Sequence, residues 1–152
     1  MDLDTNRSGA LGEAKVIAKL IEKGFSVFTQ FSGKEEFDIV ACKEKKLYRI
    51  QVKCVKESQE NGTFAVTLTS VYKLATGNVL RRFDKSKCDI LAIYIRELDK
   101  VCFIKVEDIQ GGTGIILRKE LNQYTRAKGR HYWIIDDLLD LEESPNGMAS
   151  DC

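Results

Sequence analysis

The sequence has little of what several large classes of enzyme and membrane protein require. Its 152 residues include one histidine and one proline, and no run approaches the roughly 18 consecutive apolar residues that a membrane-spanning helix needs. The single histidine, His131, argues against Ser-His-Asp and Cys-His sites, because both need a histidine beside the nucleophile. Neither G-x-G-x-x-G nor G-x-x-x-x-G-K-[ST] occurs, so we expect no nucleotide cofactor.

The cysteines give no sign of a disulfide framework or a zinc site. There are five, an odd number, and no two of them form a C-x-x-C pair. This usage is typical of a reducing compartment. The N-terminus also lacks a basic stretch followed by an apolar one, which is the pattern of a secretory signal. We therefore expect a cytoplasmic protein without membrane association.

Length and composition predict one globular domain. The chain is 43% hydrophobic and 31% charged, which is typical of a folded domain rather than a disordered chain. A length of 152 residues leaves little room for a second domain. Residues 1–143 are predicted to form this domain. Residues 144–152, which include the only proline, are predicted to form a loose C-terminal tail.

The net charge of +1 conceals an uneven distribution. Residues 136–152 hold six acidic side chains and no Lys or Arg, so residues 1–135 carry 24 basic side chains against 17 acidic ones, a net +7. Basic residues concentrate in the stretches 73–87 and 118–130, which are either solvated loops or a surface for a polyanion such as DNA. The candidate DNA-contacting residues are Arg81, Arg82, Lys85, Lys87, Arg118, Lys119, Arg126, Lys128 and Arg130.

The order of periodic segments predicts an α/β chain of the α+β type. A first helix is expected from about Asn6 to Lys23, with Asp4 or Thr5 as its cap and Gly24 at its end. Its apolar stripe is predicted to consist of Ala10, Ala14, Ile17 and Ile21. Strands are predicted at Phe25–Phe28, Phe37–Cys42, Leu47–Val55, Thr63–Thr69, Ile90–Ile95, Val101–Val106 and Ile115–Leu117, and a terminal helix at Trp133–Leu141.

The segment 37–56 predicts a hairpin with one polar face. If Phe37–Cys42 and Leu47–Val55 pair in an antiparallel manner about residues 43–46, Asp38 lies opposite Gln51. Lys53 then follows one step along the same face, because strand side chains alternate with a period of two. The other face is apolar or aromatic and is the predicted core face. It consists of Phe37, Ile39, Ala41, Tyr48, Ile50, Val52 and Cys54.

Glu13 adds a fourth polar group. At about 100° per residue it falls between Ile17 and Leu20, at the edge of the apolar side of the helix. Gly9 and Gly12 lie on either side of it in the sequence, and glycine permits close backbone approach. A carboxylate at such an edge needs a cation or hydrogen-bond donors as partners.

These residues resemble the motif of the PD-(D/E)XK nucleases. Members of that family place a Glu on the first helix, an Asp on the second strand, and (Glu or Gln)-x-Lys on the third. Here the corresponding residues are Glu13, Asp38 and Gln51-Val52-Lys53. Residues 6–106 are similar to the branch that includes archaeal Holliday-junction resolvases and the intron-encoded homing endonucleases of cyanobacteria. The resemblance implies a restriction-endonuclease-like core, with a mixed central β-sheet flanked by helices.

The resemblance also implies a role for each residue of the motif. Asp38 would give Mg²⁺ a carboxylate oxygen, Gln51 an amide oxygen and Val52 a main-chain carbonyl, since Mg²⁺ prefers oxygen ligands; Mn²⁺ could take its place. Lys53 would orient or deprotonate the attacking water, and Glu13 would act on the metal through a water or help to recruit a second ion. Gln51 stands where most members carry Glu, so the site has one anionic ligand fewer.

We therefore expect a Mg²⁺-dependent, site-specific DNA endonuclease of the bacterial cytoplasm or nucleoid. It would make double-strand breaks for intron homing. Its partners would be double-stranded DNA and further copies of itself: at least a homodimer, with a homotetramer implied by the resemblance. The alternatives are a Holliday-junction resolvase, a restriction-type nuclease, a catalytically silent DNA-binding module of the same fold, and an interaction domain that binds no nucleic acid.

Overall fold

The computed structural model describes residues 3–120 and 133–134. Within them, one helix and ten strands in three sheets confirm the predicted α+β class. In these two ranges no helix combines the length and hydropathy needed to cross a membrane. The helix is α1 (Thr5–Glu22), and the strands are β1 (Ser26–Thr29), β2 (Ile39–Lys43), β3 (Lys46–Val55), β4 (Thr63–Thr67), β5 (Ser70–Leu74), β6 (Gly77–Arg81), β7 (Ile90–Ile95), β8 (Lys100–Lys105), β9 (Gly114–Arg118) and β10 (Trp133–Ile134).

Helix α1 begins and ends close to where its sequence predicts. The Asp4 side chain accepts a hydrogen bond from the N–H of Arg7 at 2.8 Å, which caps the first turn. At the other end Gly24 adopts a positive φ of 81°, and the N–H groups of residues 24 and 25 bond back to carbonyls of the last turn. This is a Schellman motif, whose left-handed position favours glycine.

The buried side of α1 differs from the predicted stripe. Gly12, Val16 and Leu20 are the buried residues, because Val and Leu remove more apolar area from water than Ala does. Gly12 also lets the helix backbone approach β3 closely, since a Cβ there would lie 3.1 Å from the Cβ of Cys54. The members of the predicted stripe that are exposed instead are Ala10, Ala14 and Ile21.

The β2–β3 hairpin has the predicted register. Cys42 pairs with Leu47, and the ladder continues to Lys43 and Lys46. The turn is therefore two residues long, and both of its residues, 44 and 45, have positive φ values of 50° and 65°. Such a turn matches the twist of an antiparallel hairpin.

Strand β2 starts two residues later than predicted. Its first pair is Ile39 with Ile50, and Asp38 joins the ladder only through its N–H, which donates to the Ile50 carbonyl at 2.9 Å. Because Phe37 precedes the strand, strand alternation does not fix its side, and it packs in the core on the face opposite α1. Strand β3 continues for five residues, 51–55, beyond its pairing with β2.

The central sheet has the strand order β1-β2-β3-β7-β8. It is mixed, because β3 and β7 run parallel while the other neighbours are antiparallel. Gln51 and Lys53 alternate with the residues that α1 covers, so they lie on the opposite face. The predicted core-face residues that are buried beneath α1 are Ile39, Ala41, Ile50 and Val52, with Tyr48 packed at their margin.

A second sheet, not a second helix, covers the other face in the part of the chain that the structure describes. Strands β4, β9 and β10 form it, and Phe64 and Leu117 are buried in a core shared with Leu91 and Ile93 of β7. The prediction of a helix at Trp133–Leu141 is wrong for its first two residues, because residues 133–134 form a strand that pairs in parallel with β9. The large ring of Trp133 packs against the same core. Residues 135–141 and the predicted tail, 144–152, lie outside the described residues.

The first basic stretch, 73–87, was predicted as a loop but contains a hairpin. Strands β5 and β6 pair from Ser70 with Arg81 to Leu74 with Gly77 and form a separate two-stranded sheet, which we call the basic ribbon (residues 70–81). Gly77 closes its turn with a φ of 130°. Valine and leucine in both strands favour an extended ribbon over a loop. Residues 82–89 connect the ribbon to β7 without strand structure.

Candidate active site

Asp38 is fixed where β2 and β3 separate. Its Oδ2 accepts a hydrogen bond from the main-chain N–H of Val52 at 2.7 Å and another from Nε2 of Gln51 at 2.8 Å. Its Oδ1 accepts none from the described residues. The sequence predicted the approach of Asp38 and Gln51. It did not predict the Val52 N–H, which is available because β3 extends past β2.

Gln51 and Lys53 come from the part of β3 beyond its pairing with β2. Both are half-buried and share the face opposite α1. The Lys53 ammonium is near enough to Asp38 for its charge to lower the pKa of that carboxyl. Lys53 forms no hydrogen bond or ion pair with the described residues. The structure therefore brings together the three polar residues that the hairpin register predicted.

Glu13, on α1, lies within electrostatic range of Asp38. It is half-buried, and burial raises its pKa, with the negative charge of Asp38 raising it further. The helix is held in place by Gly12 against β3 and by Lys15, whose Nζ lies 2.7 Å from Oδ1 of Asp99 at the β7–β8 connection. Glu13 is thus close enough to Asp38 for the two carboxylates to repel each other.

The electrostatics of the site suit a hard cation. Burial raises the pKa of Asp38 more than the Val52 N–H and the Lys53 charge lower it. A divalent ion would stabilise the ionised form of both carboxylates, and the available oxygens favour Mg²⁺ or Mn²⁺ over softer metals. Among the described residues no group of three or more His, Cys, Asp and Glu is arranged to hold a metal. The remaining protein ligands would therefore be the Gln51 amide and a main-chain carbonyl.

The raised pKa of Asp38 predicts how stability depends on pH. In the folded protein this carboxyl keeps its proton to a higher pH than in the unfolded chain, so its contribution to stability is greatest at low pH and is lost as pH rises through the folded-state pKa. Asp38→Asn removes this ionisation. In EDTA, we expect a higher unfolding temperature than wild type at pH 7, and a difference that closes as pH falls below about 4. Calorimetry across this range measures it; a more stable wild type at pH 7 would contradict the raised pKa.

Arg49 forms a contact that sequence analysis missed. Its guanidinium binds both carboxylate oxygens of Asp89, at 2.8 and 3.1 Å, and the Ser86 carbonyl at 3.0 Å. Since Asp89 opens β7, this contact joins β3, β7 and the segment that follows the basic ribbon. The available signal was an Arg two residues before Gln51 on the same strand face. Its partner could be identified only once β3 and β7 were known to run parallel.

The segment 30–37 that leads into Asp38 is also braced. The Gln30 side chain donates to the Phe37 carbonyl at 3.1 Å and accepts from the Glu35 N–H at 3.0 Å. Glu36 forms an ion pair with Arg81 at the end of β6. The basic ribbon is therefore tied to the chain two residues before Asp38.

The predicted DNA-contacting residues differ in their exposure and in their contacts within the protein. Arg82 and Lys87 are exposed and form no ion pair with the described residues, whereas Arg118 is half-buried at the end of β9. Three others are engaged within the protein: Arg81 with Glu36, Lys85 with the Ile109 carbonyl, and Lys119 with Glu97. The last three, Arg126, Lys128 and Arg130, lie outside the described residues, as does His131.

An open cleft of about 520 Å³ lies apart from the candidate site. It is lined by Lys46, Arg49, Lys85 and Asp89 among others, and not by Asp38, Gln51 or Lys53. Arg49 and Asp89 neutralise each other there, and the other lining carboxylate, Glu107, is accompanied by the lysines Lys46, Lys85 and Lys105. The chemistry of the Asp38 site, not the volume of a cavity, identifies the candidate active site.

Comparisons with known proteins bear on the family and the fold. A bacterial homing endonuclease, I-Ssp6803I, has a similar structure, with a TM-score of 0.69 and 19% sequence identity over 84% of this chain and 85% of that one. At this identity the likeness is one of fold. No curated protein matches the sequence. The sequence model of the PD-(D/E)XK endonucleases matches residues 3–134, which confirms the family inferred from the motif: the chain belongs to the PD-(D/E)XK endonuclease family.

Proposed function

We propose that this protein is a Mg²⁺-dependent endonuclease that cuts double-stranded DNA at a specific site by direct hydrolysis. The observation that carries the proposal is the fixed Asp38 carboxylate, with Gln51 and Lys53 on one strand face and Glu13 within electrostatic range of Asp38. Membership of the PD-(D/E)XK endonuclease family supports the reaction class. Mn²⁺ is expected to substitute for Mg²⁺, because it accepts the same oxygen ligands.

Each residue of the site has a separate task in this proposal. Asp38, Gln51 and the Val52 carbonyl would hold the metal, and a bound divalent ion would supply polarisation of the phosphate and a lower pKa of water. Lys53 orients the attacking water and offsets the negative charge of the phosphate. Glu13 is the second carboxylate, placed to hold a water or to attract a further cation. With two acidic side chains instead of three, the site is expected to bind its metal weakly.

The proposal is tested by incubating the protein with a mixture of DNA fragments and Mg²⁺ and mapping the ends of the products. We expect cuts on both strands at a recurring sequence, and none in EDTA. Preferred cutting of four-way junctions of any sequence would instead indicate a resolvase. DNA binding without any cut would indicate a catalytically silent module, a reading that Gln51 leaves open.

Intron homing is the proposed biological role, and the similarity of fold to a homing endonuclease supports it. The reaction would take place where the genome is, in the bacterial cytoplasm or nucleoid. A homing target is continuous in an uninterrupted gene and is split by the inserted intron. The mapped target should therefore be cut in its continuous form and resist cutting when an insertion divides it at the cleavage position.

DNA affinity is predicted to depend steeply on salt. Arg82 and Lys87 are exposed cations on the segment that joins the basic ribbon to β7, and phosphate contacts release counterions that salt restores. Alanine at either position should weaken binding to all sequences about equally and reduce the slope of log K against log[salt] by about one. Lys45→Gln, at the β2–β3 turn, is the control and should leave the slope unchanged. An unchanged slope in the Arg82→Ala/Lys87→Ala double variant would remove this segment from the interface.

An oligomer is proposed because one site of this kind cuts one strand. A 152-residue domain has a diameter of about 38 Å, which spans roughly one turn of DNA at about 3.4 Å per base pair. A long target with two cuts therefore needs at least a two-fold homodimer, and a homotetramer would leave two subunits to brace the two that cut. Light scattering with and without DNA measures this; a monomer in both states that still cuts both strands together would contradict it.

A further inference from the structure

The basic ribbon exposes an unusual amount of apolar surface. Val71, Leu74 and Leu80 are 62%, 58% and 61% exposed, and every residue of β6 is exposed. An isolated two-stranded sheet is only marginally stable in water. Aliphatic side chains gathered on one exposed element mark a binding surface. We therefore expect another molecule to bind the ribbon.

The register of the ribbon sorts its side chains into two faces. The pairs Val71–Leu80 and Lys73–Asn78 share one face, because they are two residues apart along both strands; we call it the reading face. The pair Ser70–Arg81 lies on the other face, where Arg81 binds Glu36 beside the Asp38 segment. Lys73 and Asn78 are next to the turn, at the end of the ribbon that is furthest from this attachment.

Charge identifies the occupant as DNA rather than a second copy of the chain. No Asp or Glu occurs from residue 61 to residue 83, whereas Lys73, Arg81 and Arg82 are all cationic. The cores of protein interfaces are depleted of lysine, and a stable interface uses about 20–30 residues a side, more than a ribbon of 12. A two-stranded β-ribbon also fits the major groove, which is about 12 Å wide.

The residue types on the reading face match the edges of bases. Asn forms paired hydrogen bonds with adenine, Lys binds the O6 and N7 of guanine, and aliphatic groups contact the methyl of thymine. Asn78, Lys73 and Leu80 therefore each have a partner in the major groove. The ribbon is joined to the chain beside Asp38, and Asn78 is three residues, or about 10 Å, from Arg81. The bases read would then lie within about five base pairs of the cut.

We propose that the basic ribbon enters the major groove of the target and reads bases near the cut through Lys73 and Asn78, with Val71 and Leu80 against thymine methyl groups. The proposal rests on the proposed function, since it names the element that gives the endonuclease its sequence preference.

The test compares Asn78→Ala and Lys73→Gln with wild type on a randomised DNA library. Cleaved ends are mapped in Mg²⁺, and bound sequences are selected separately with Asp38→Asn versions of each protein. We expect each ribbon variant to lose about tenfold discrimination at one base position within about five base pairs of the cut. Lys45→Gln removes the same charge from an exposed lysine at another hairpin turn and should keep every preference.

The outcomes separate this proposal from the proposed function. If wild type does not cut but the ribbon variants change the bound sequences, the ribbon reads DNA and the nuclease assignment fails. If wild type cuts at a preferred sequence that both variants retain, the ribbon assignment is overturned. It is equally overturned if Leu80→Ser dissociates an oligomer in light scattering without altering any base preference, because the ribbon is then a subunit interface. An absence of both cutting and selective binding overturns both proposals.

Discussion

Asp38→Asn is expected to reduce DNA cleavage by at least about 100-fold, since even the loss of a residue that supports a metal ligand costs 10–100-fold. The change removes one of the two carboxylates that the described residues offer for the site. It preserves the shape of the side chain, and the amide oxygen can still accept from the Val52 N–H and the Gln51 amide. The fold and the DNA affinity should therefore be retained. Cleavage rates at saturating Mg²⁺ and gel shifts in EDTA measure the two properties separately.

The matched control for this prediction is Asp108→Asn. Asp108 is an exposed carboxylate on the 3₁₀ turn after β8, and β8 is three strands from β2 in the central sheet, or about 14 Å at the usual strand spacing. The variant loses the same charge and should cut at the wild-type rate. Cleavage retained by Asp38→Asn, or lost equally by Asp108→Asn, would refute the assignment of Asp38.

Short-range pattern was enough to predict the hairpin at the centre of the site. Once Cys42 and Leu47 face each other, a period of two brings Asp38 to Gln51, and the structure has that register. The apolar face gave the second constraint, because a slip of one residue would expose Ile39 and Ile50. The hairpin could be predicted because both constraints lie within 20 residues of sequence.

Contacts between distant segments could not be predicted from local sequence patterns. The stripe of α1 was predicted from helical periodicity as Ala10, Ala14, Ile17 and Ile21, but the side that packs is the one where Gly12 permits close approach to Cys54. That preference depends on the shape of β3 and not on the helix alone. The bond between Arg49 and Asp89 likewise requires β3 and β7 to be parallel neighbours, a pairing that no local period specifies.

The strands of the basic ribbon were missed from the sequence for another reason. Its sequence combines strand-forming aliphatics with cations and lies away from the two cores, so hydrophobic burial gives no period to detect. Charge density alone favoured a loop. The Val71–Leu80 pairing supplies the strand structure, and both side chains are largely exposed in the part of the chain that the structure describes. Departure from the usual burial pattern is expected at functional surfaces.

Lys53→Ala is the second change with a large expected effect, a loss of at least about 100-fold in cleavage. In the proposed reaction the scissile phosphate would approach two carboxylates, Asp38 and Glu13. Lys53, whose charge already acts on Asp38, is the cation expected to offset theirs. The same charge lowers the pKa of Asp38. Its removal should therefore raise that pKa and move the acid limb of any residual pH–rate profile to higher pH.

Two further variants isolate the role of the Lys53 ammonium. Lys53→Arg keeps the charge but replaces a compact ammonium with a broad planar group, so it should restore the pH profile while recovering only part of the rate. Lys56→Gln removes an exposed lysine just past the end of β3 and should match wild type in both. A role confined to holding the strand would lower the rate in Lys53→Ala without shifting the profile. An unshifted profile, or full activity in Lys53→Ala, would therefore exclude this lysine from the active site.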